Sequence, residues 1–391
     1  MSESAHAYEI PSYRRFPISL VKGEGAWVEA GDGRRWLDFY GGHAVCVTGH
    51  CHPRVTAALE RQAKELLFYS NMVDLPIRNE ATKALADFCP EPLKRIFFVN
   101  SGSEANENAI KIARKVTARP YVLAFEGGFH GRTLGALAVT GIGRYRELAA
   151  PLLRQSLFAP FGDLEAVRAL LESKPVAAII IEPIQSMAGC RTTGEAFFCG
   201  LRRLCDEHQS LLIFDEIQTG MGRCGRPFFA GSHGIVPDIM TLGKGLASGI
   251  PMGAVVTSAQ LAAKVAYGDL GTTFGGGPMA AAALKATLDV LGDERLCQNA
   301  AVMGAYLKEG IQIMPRVLKV DGDGLLLGIT LDGGAKPVQE GLLKRGVIAG
   351  LAESPSILRL MPPLTITAAE CDTFLDAFGG ALGGQESGHA G

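Results

Sequence analysis

Residues 176–181 read VAAIII, six apolar residues with no polar side to turn toward water. A strand with one wet face alternates, so an unbroken apolar run is the pattern of a strand covered on both faces. Similar short runs recur at 95–99 (RIFFV), 121–125 (YVLAF), 211–214 (LLIF) and 239–242 (IMTL), with helical spacing between them. Strand, helix, strand over residues 95–242 predicts an α/β fold: a mostly parallel central sheet flanked by helices, with right-handed crossovers. Ligands of such sheets bind beyond the carboxyl ends of the strands. The residues at which each run stops are therefore the candidates for chemistry.

Two of those stops carry complementary groups. Asp215 and Glu216 follow the run at 211–214, and Gly243-Lys244 follows the run at 239–242. A lysine amine condenses with an aldehyde to form a Schiff base. If the aldehyde is pyridoxal phosphate, its ring is an electron sink only while the ring nitrogen stays protonated, and a nearby carboxylate keeps that proton on. Lys244 is the candidate for the first role and Asp215 for the second. Taken singly, each is more often a surface lysine or a turn cap; together in one crevice they point to this chemistry.

The other stops fit an anion and an aromatic ligand. Asn100-Ser101-Gly102-Ser103-Glu104 enters a helix, and free N–H groups at a helix start favour phosphate. The same residues also read as an ordinary capped start, with Ser101 or Ser103 as the cap. Glycines around Phe129 let backbone approach a ligand while the ring stacks on it, although a core phenylalanine in a turn is the commoner case. Arg132 is a candidate carboxylate clamp. Arg359 stands inside the apolar run SILRLM and needs a partner, either a substrate carboxylate or a structural acid.

Composition excludes several classes. A formal net charge of −2 gives no reason to expect nucleic acid or an anionic membrane. No apolar run is long enough to span a bilayer, and the N-terminal residues lack a signal pattern. The nine cysteines include no C-x-x-C pair, which fits a reducing compartment, and the chain reads as a cytoplasmic protein. His50-Cys51-His52 has no partner cluster with zinc spacing, so no metal is expected. The sequence G-x-G-x-x-G at 220–225 imitates a dinucleotide site, but Pro227 follows where a helix should open and Asp238 comes too early.

The expected organisation has four parts. Residues 1–50 form an arm and a small β hairpin turning at Gly31-Asp32-Gly33, packing with the small domain. Residues 51–278 form the large α/β domain, with a hydroxyl-bearing glycine loop at 271–278. Residues 279–378 form a smaller α+β domain, and 379–391 a flexible glycine-rich tail.

The motifs NSGSEANE, FHGRT, IIIEPIQ, LLIFDEIQTGMGR, LGKGL and TTFGG, in this order, resemble those of the class III (ornithine-type) aminotransferases of pyridoxal-phosphate fold type I. The resemblance runs from about Tyr13 to Leu364. Within the class, YRRFPISLVKGEGAWV and FHGRTLGAL look most like acetylornithine aminotransferases. The resemblance implies that Lys244 holds pyridoxal 5'-phosphate and shuttles the proton, Asp215 binds the ring nitrogen, Gln218 the ring hydroxyl, and Phe129 stacks on the ring. It implies that Gly102 and Ser103 hold the phosphate, and that Thr273 reaches the phosphate of a neighbouring subunit in a homodimer with shared active sites. Arg132 and Arg359 are implied to bind carboxylates of amino-acid and 2-oxo-acid substrates, with Tyr13 and Thr272 nearby. The implied reaction moves the terminal amino group of an N-acylated diamino acid, N-acetylornithine first, to 2-oxoglutarate. Ornithine, 4-aminobutyrate, carrier-linked lysine and an aminomutase reaction are the alternatives. Two departures bear on the substrate. Met187 stands where many relatives have a glutamate that masks the C-terminal arginine, and Leu270-Gly271 and Gly277 replace the usual residues around TTFGG.

Overall fold

The computed structural model describes residues 8–10, 12–147, 150 and 155–383. The N-terminal hairpin is β1 (Leu20–Glu24), β2 (Trp27–Ala30) and β3 (Arg35–Asp38). The central strands are β4 (Leu93–Val99), β5 (Tyr121–Phe125), β6 (Ser156–Ala159), β7 (Val176–Ile181), β8 (Leu211–Asp215), β9 (Ile239–Leu242) and β10 (Gly253–Ser258). The C-terminal strands are β11 (Val317–Asp323), β12 (Leu326–Leu331), β13 (Val347–Ile348), β14 (Gly350–Leu351) and β15 (Ile357–Leu360).

The central sheet has seven strands in the order β4-β10-β9-β8-β7-β5-β6. Every residue of β7 is buried, as its composition requires. The pairs from β9 through β6 are parallel. β10 runs antiparallel to both of its neighbours, β9 and β4, so β4 points the same way as the parallel strands. β10 is not among the strands expected from the apolar runs. It closes the gap beside β9 and brings Gly253 against the turn after β4: a Cβ there would lie 2.4 Å from the Ser101 carbonyl oxygen.

The hairpin is extended by β13, which pairs in parallel with β3, so residues 20–38 share a sheet with a strand from the C-terminal third. The remaining C-terminal strands form a separate antiparallel sheet in the order β11-β12-β15-β14. The last helix, Ala368–Gly383, carries on through residues 379–383, where a flexible tail was expected. Ala381 and Leu382 are buried, and that apolar contact outweighs the poor helix propensity of the glycines; residues 384–391 lie outside the described residues. A helix at Pro76–Phe88, also absent from the sequence reading, packs beside the helix at Pro278–Asp293.

Asp38 and His50 tie the hairpin to the segment that leads into the large domain. Asp38 Oδ2 lies 2.9 Å from His50 Nε2, and Asp38 Oδ1 accepts from the N–H groups of Tyr40 and Gly41. His52 bonds a different carboxylate, Glu294, at 3.0 Å. Burial opposes a charge on His50, but Asp38 and the neighbouring Cys46 thiol outweigh it and push the imidazole pKa up to about 10. A base whose pKa is raised on folding adds stability that is complete below its unfolded value, here 6.5, and lost as pH rises through the folded one. Thermal melts should therefore show the wild type losing its advantage over Asp38→Asn between pH 6.5 and about 10. A gap between the two that stays constant over that window would contradict the charged pair.

Among the described residues no helix is long and apolar enough to cross a membrane, and no group of three or more His, Cys, Asp or Glu is placed to hold a metal.

Candidate active site

Asp215 is the last residue of β8 and Lys244 follows β9, and in the register of these strands Asp215 sits opposite Thr241. Both side chains therefore enter the crevice beyond the carboxyl ends of neighbouring strands, the position expected from the two apolar runs.

The Asp215 carboxylate is buried and held from three directions. Oδ2 accepts from Asn106 Nδ2 at 2.8 Å and lies 2.7 Å from His130 Nδ1; Oδ1 accepts from the Ile217 N–H at 3.1 Å. Asn106 is fixed in turn: its amide also donates to the His130 carbonyl at 2.7 Å, and its Oδ1 accepts from the Thr241 hydroxyl at 2.7 Å. Buried polar groups cost little only when fully bonded. This network meets that condition and leaves the carboxylate one fixed orientation.

Lys244 has a φ of 44°, left-handed backbone that a lysine does not prefer. Such a residue costs about 1–2 kcal/mol, and strain of this kind collects at functional sites. The glycines on either side are close-packed: Gly243 lies against Gly102, and a Cβ on Gly245 would fall 2.4 Å from a Val47 methyl. Burial lowers the pKa of the Lys244 amine; Asp215 and Glu182 pull the other way, and Arg359 adds to the lowering. Glu182 stands just beyond β7. Burial raises its pKa, and the His130 ring, the Phe129 N–H at 2.7 Å and Lys244 work against the rise.

The opposite wall can take a phosphate. The helix Gly102–Thr117 begins beside β9, with Ser101 as its cap: the Ser101 hydroxyl accepts from the Glu104 N–H and its carbonyl from Ala105. The N–H groups of Gly102 and Ser103 have no protein acceptor among the described residues. Ser101 caps the helix, one of the two readings of this turn, while the N–H groups of Gly102 and Ser103 stay free. A side chain at 102 has no room, since its Cβ would meet Ile217 at 2.7 Å. The Ser103 hydroxyl is engaged with Thr133 at 2.7 Å, so Ser103 offers its N–H. Phe129 is half-buried, with its ring edge-on to Tyr145 at 5.7 Å. Gln218 lies half-buried with its amide 2.8 Å from Met361 Sδ, a weak acceptor that a phenolic oxygen can replace. A buried carboxylate, an amine and two free N–H groups are the donor set that pyridoxal phosphate needs, and the residues present fit it.

The arginines differ. Arg359 is 3% exposed; its Nε donates to the Leu351 carbonyl at 2.8 Å and its Nη1 to the Ser186 hydroxyl at 2.9 Å. Among the described residues no carboxylate pairs with it, and Met187, next to Ser186, brings none. Arg132 is exposed and lies 4.5 Å from the centre of the Tyr145 ring. Thr272 accepts from Asn100 Nδ2 at 3.3 Å, Thr273 is exposed, and Tyr13 is exposed on the arm without a hydrogen bond to the crevice. Asn106, His130 and Glu182 have no role expected from sequence, although they lie inside the motifs NSGSEANE, FHGRT and IIIEPIQ.

The Aminotransferase class-III family matches residues 8–382. The chain belongs to that family. Its class III relatives include the acetylornithine aminotransferase of Methanopyrus kandleri, 42% identical over 96% of this chain and 97% of the other. The acetylornithine aminotransferase of Bacillus subtilis is 39% identical over 92% and 93%. Among solved structures, the ornithine aminotransferase of Toxoplasma gondii superposes with a TM-score of 0.91 at 30% identity, covering 96% of this chain and 92% of that one. The acetylornithine aminotransferase of Elizabethkingia anophelis gives 0.84 at 27% identity, covering 96% of each. This class III enzyme is accordingly a pyridoxal-phosphate-dependent aminotransferase with the fold type I architecture. The G-x-G-x-x-G stretch is packed into the fold. Its Arg223 is buried under the Leu325 and Pro362 carbonyls, and Gly222 packs against Leu364.

Proposed function

We propose that this enzyme transfers the terminal amino group of an N-acylated diamino acid, N-acetylornithine first, to 2-oxoglutarate, giving the semialdehyde and glutamate. The observation that carries the donor is the near-full-length similarity to acetylornithine aminotransferases at about 40% identity. The second reading, ornithine as donor, is favoured by the structural match to an ornithine aminotransferase. A donor screen separates them: with 2-oxoglutarate as acceptor, kcat/KM for N-acetylornithine should exceed that for ornithine and 4-aminobutyrate at least tenfold. Equal or better turnover of either competitor would overturn the donor assignment.

Bound in this crevice, pyridoxal phosphate supplies the electron sink that carries the amino group between two carbon skeletons. The protein's part is placement and proton control. Gly102 and Ser103 N–H groups hold the phosphate, Phe129 covers the ring, and Gln218 meets the ring hydroxyl. Asp215 keeps the proton on the ring nitrogen, itself held by Asn106, His130 and Ile217. Lys244 Nζ takes and returns the proton at the substrate carbon that bears the amine. The lowering of its pKa by burial raises the fraction of neutral amine available as base. Arg359 and Arg132 receive substrate carboxylates, with Tyr13 and Thr272 close to the bound substrate. Replacing Arg359 by Gln should raise KM for glutamate about 100-fold, the cost of removing one partner of a buried charged pair. The thermal midpoint should change little, because the cation has no carboxylate of its own. A KM within threefold of wild type would remove Arg359 from substrate binding.

The working unit is a homodimer. An exposed apolar stretch, Leu66, Leu67, Phe68, Tyr69, Met72 and Val73, adjoins exposed Phe274 through a Phe68–Phe274 ring contact at 5.1 Å. Apolar surface of this extent asks for a partner. A second copy covering it would bring the exposed Thr273 to the neighbour's phosphate. The enzyme works in the cytoplasm, and residues 51–278 and 279–378 act as the large and small domains.

A further inference from the structure

The glycine-rich stretch at 220–225 holds no cofactor group, yet Arg223 within it is the largest fully buried side chain among the described residues. Its Nη1 donates to the Leu325 carbonyl at 3.1 Å and to the Pro362 carbonyl. Its Nε and Nη2 are buried without an acceptor among the described residues, and no carboxylate there pairs with the guanidinium. Burial pushes its pKa down to about 10, against the weaker pull of Cys224, Cys46 and Asp38. A buried cation satisfied this poorly costs stability rather than adding it, so its place needs another reason.

The two carbonyls supply one. β12 and β15 pair antiparallel, with Leu327 opposite Leu360 and Gly328 opposite Arg359. Continuing that ladder by two residues sets Leu325 opposite Pro362. A proline has no N–H, so it cannot donate a rung there. Leu325 turns its own N–H to the Arg223 carbonyl at 2.9 Å. Arg223 Nη1 becomes the donor for both carbonyls and joins the two strand ends. The joint is close, since a Cβ on Gly324 would fall 2.5 Å from the Cys224 carbonyl carbon.

This joint links two parts of the crevice. Behind Arg223 in the chain lie Asp215 and Gln218, on the segment that leaves β8. Before Pro362 lie Arg359 and Met361, and Met361 Sδ meets the Gln218 amide at 2.8 Å. The turn after β15 is also tied by main chain to the N-terminal segments, from the Met361 N–H to the Phe39 carbonyl at 2.8 Å and from the Leu364 N–H to the Val47 carbonyl at 2.9 Å. Arg223 ties it to the segment that carries the cofactor groups. Arg359 is held by a carbonyl and a hydroxyl, with no carboxylate of its own, so its position follows that of β15.

We propose that Arg223 is a positioning residue: its guanidinium ties β15 to the segment after β8 and so sets Arg359 relative to Asp215 and Gln218. This rests on the reading of Arg359 as the group that receives a substrate carboxylate.

The test uses the holoenzyme, with glutarate as an unreactive dicarboxylate and its Kd taken from calorimetry, beside kcat and KM for glutamate and the thermal midpoint. Arg223→Met has similar length and no donor. It should weaken glutarate and raise KM about tenfold, as a slightly displaced binding group does, with kcat at saturating glutamate within about threefold of wild type. Its thermal midpoint should change little, because removing a poorly satisfied cation offsets the two carbonyls left without a donor. Arg223→Lys keeps the charge and one donor group, and should lose only about threefold in glutarate binding. Should Arg223→Met fail to fold, Arg223→Lys decides alone. Glutarate binding within about twofold of wild type in every variant that folds would make Arg223 a structural residue only. Arg359→Gln is measured alongside. If it loses glutarate while the Arg223 variants do not, the proposal fails and the reading of Arg359 stands. If it binds glutarate as wild type does, that reading fails and takes the proposal with it.

Discussion

Lys244→Ala should lower the rate of the glutamate half-reaction by about 10³-fold or more, since the variant loses the amine proposed to move the proton at the substrate carbon. Single-turnover mixing with glutamate measures this directly. The fold should survive. The substitution removes an ionisable group that burial disfavours, and the packing around it comes from Gly243, Gly245 and Val47 rather than from the lysine stem. A thermal midpoint close to wild type together with a collapsed rate would separate a chemical role from a structural one. A variant that keeps more than a tenth of the wild-type rate would show that another group handles the proton.

Asp215→Asn should cost about 10²–10³-fold in kcat, comparable to removing one preorganised electrostatic group from an active site. The amide is nearly isosteric, but it cannot keep a proton on a ring nitrogen by charge. It also turns two charge-assisted bonds, to Asn106 and His130, into weaker neutral ones. The loss should appear in kcat with KM for glutamate changed little, because the residues proposed to hold the substrate carboxylates are Arg359 and Arg132. Asn106→Ala should show a smaller loss of the same kind, as the carboxylate keeps its charge but loses one support. If Asp215→Asn altered KM and left kcat intact, the carboxylate would be a substrate contact and not the partner of the ring nitrogen.

How much of this was legible beforehand follows from what is local. The runs at Val176–Ile181, Leu211–Asp215 and Ile239–Leu242 announce buried parallel strands by composition alone. Sheet geometry then brings Asp215 and Lys244 into one crevice without any knowledge of tertiary contacts. The helix start at Ser101 was legible for the same reason, since Ser101, Gly102 and Ser103 are contiguous. Asn106 and His130 were not. They reach Asp215 from 109 and 85 positions away in the chain, one from a helix and one from a turn, and only folding brings them to the same oxygen. β10 was missed because GAVVTS is short and flanked by glycine, and its antiparallel course depends on the partners it finds. Residues 379–383 were read from their glycines, but burial of Ala381 and Leu382 decided their state. The left-handed turn at 41–44 was out of reach: two glycines suggest freedom, but nothing in His43 or Ala44 signals positive φ.

In the proposed site one lysine tethers the cofactor while Asp215 holds its ring charged. Borohydride reduction of the holoenzyme, followed by peptide mass mapping, tests it most directly, because reduction fixes the cofactor to whichever amine it occupies. A single pyridoxyl label is expected, on Lys244. A label on any other lysine, or none on Lys244 in an enzyme that still carries the cofactor, would contradict it.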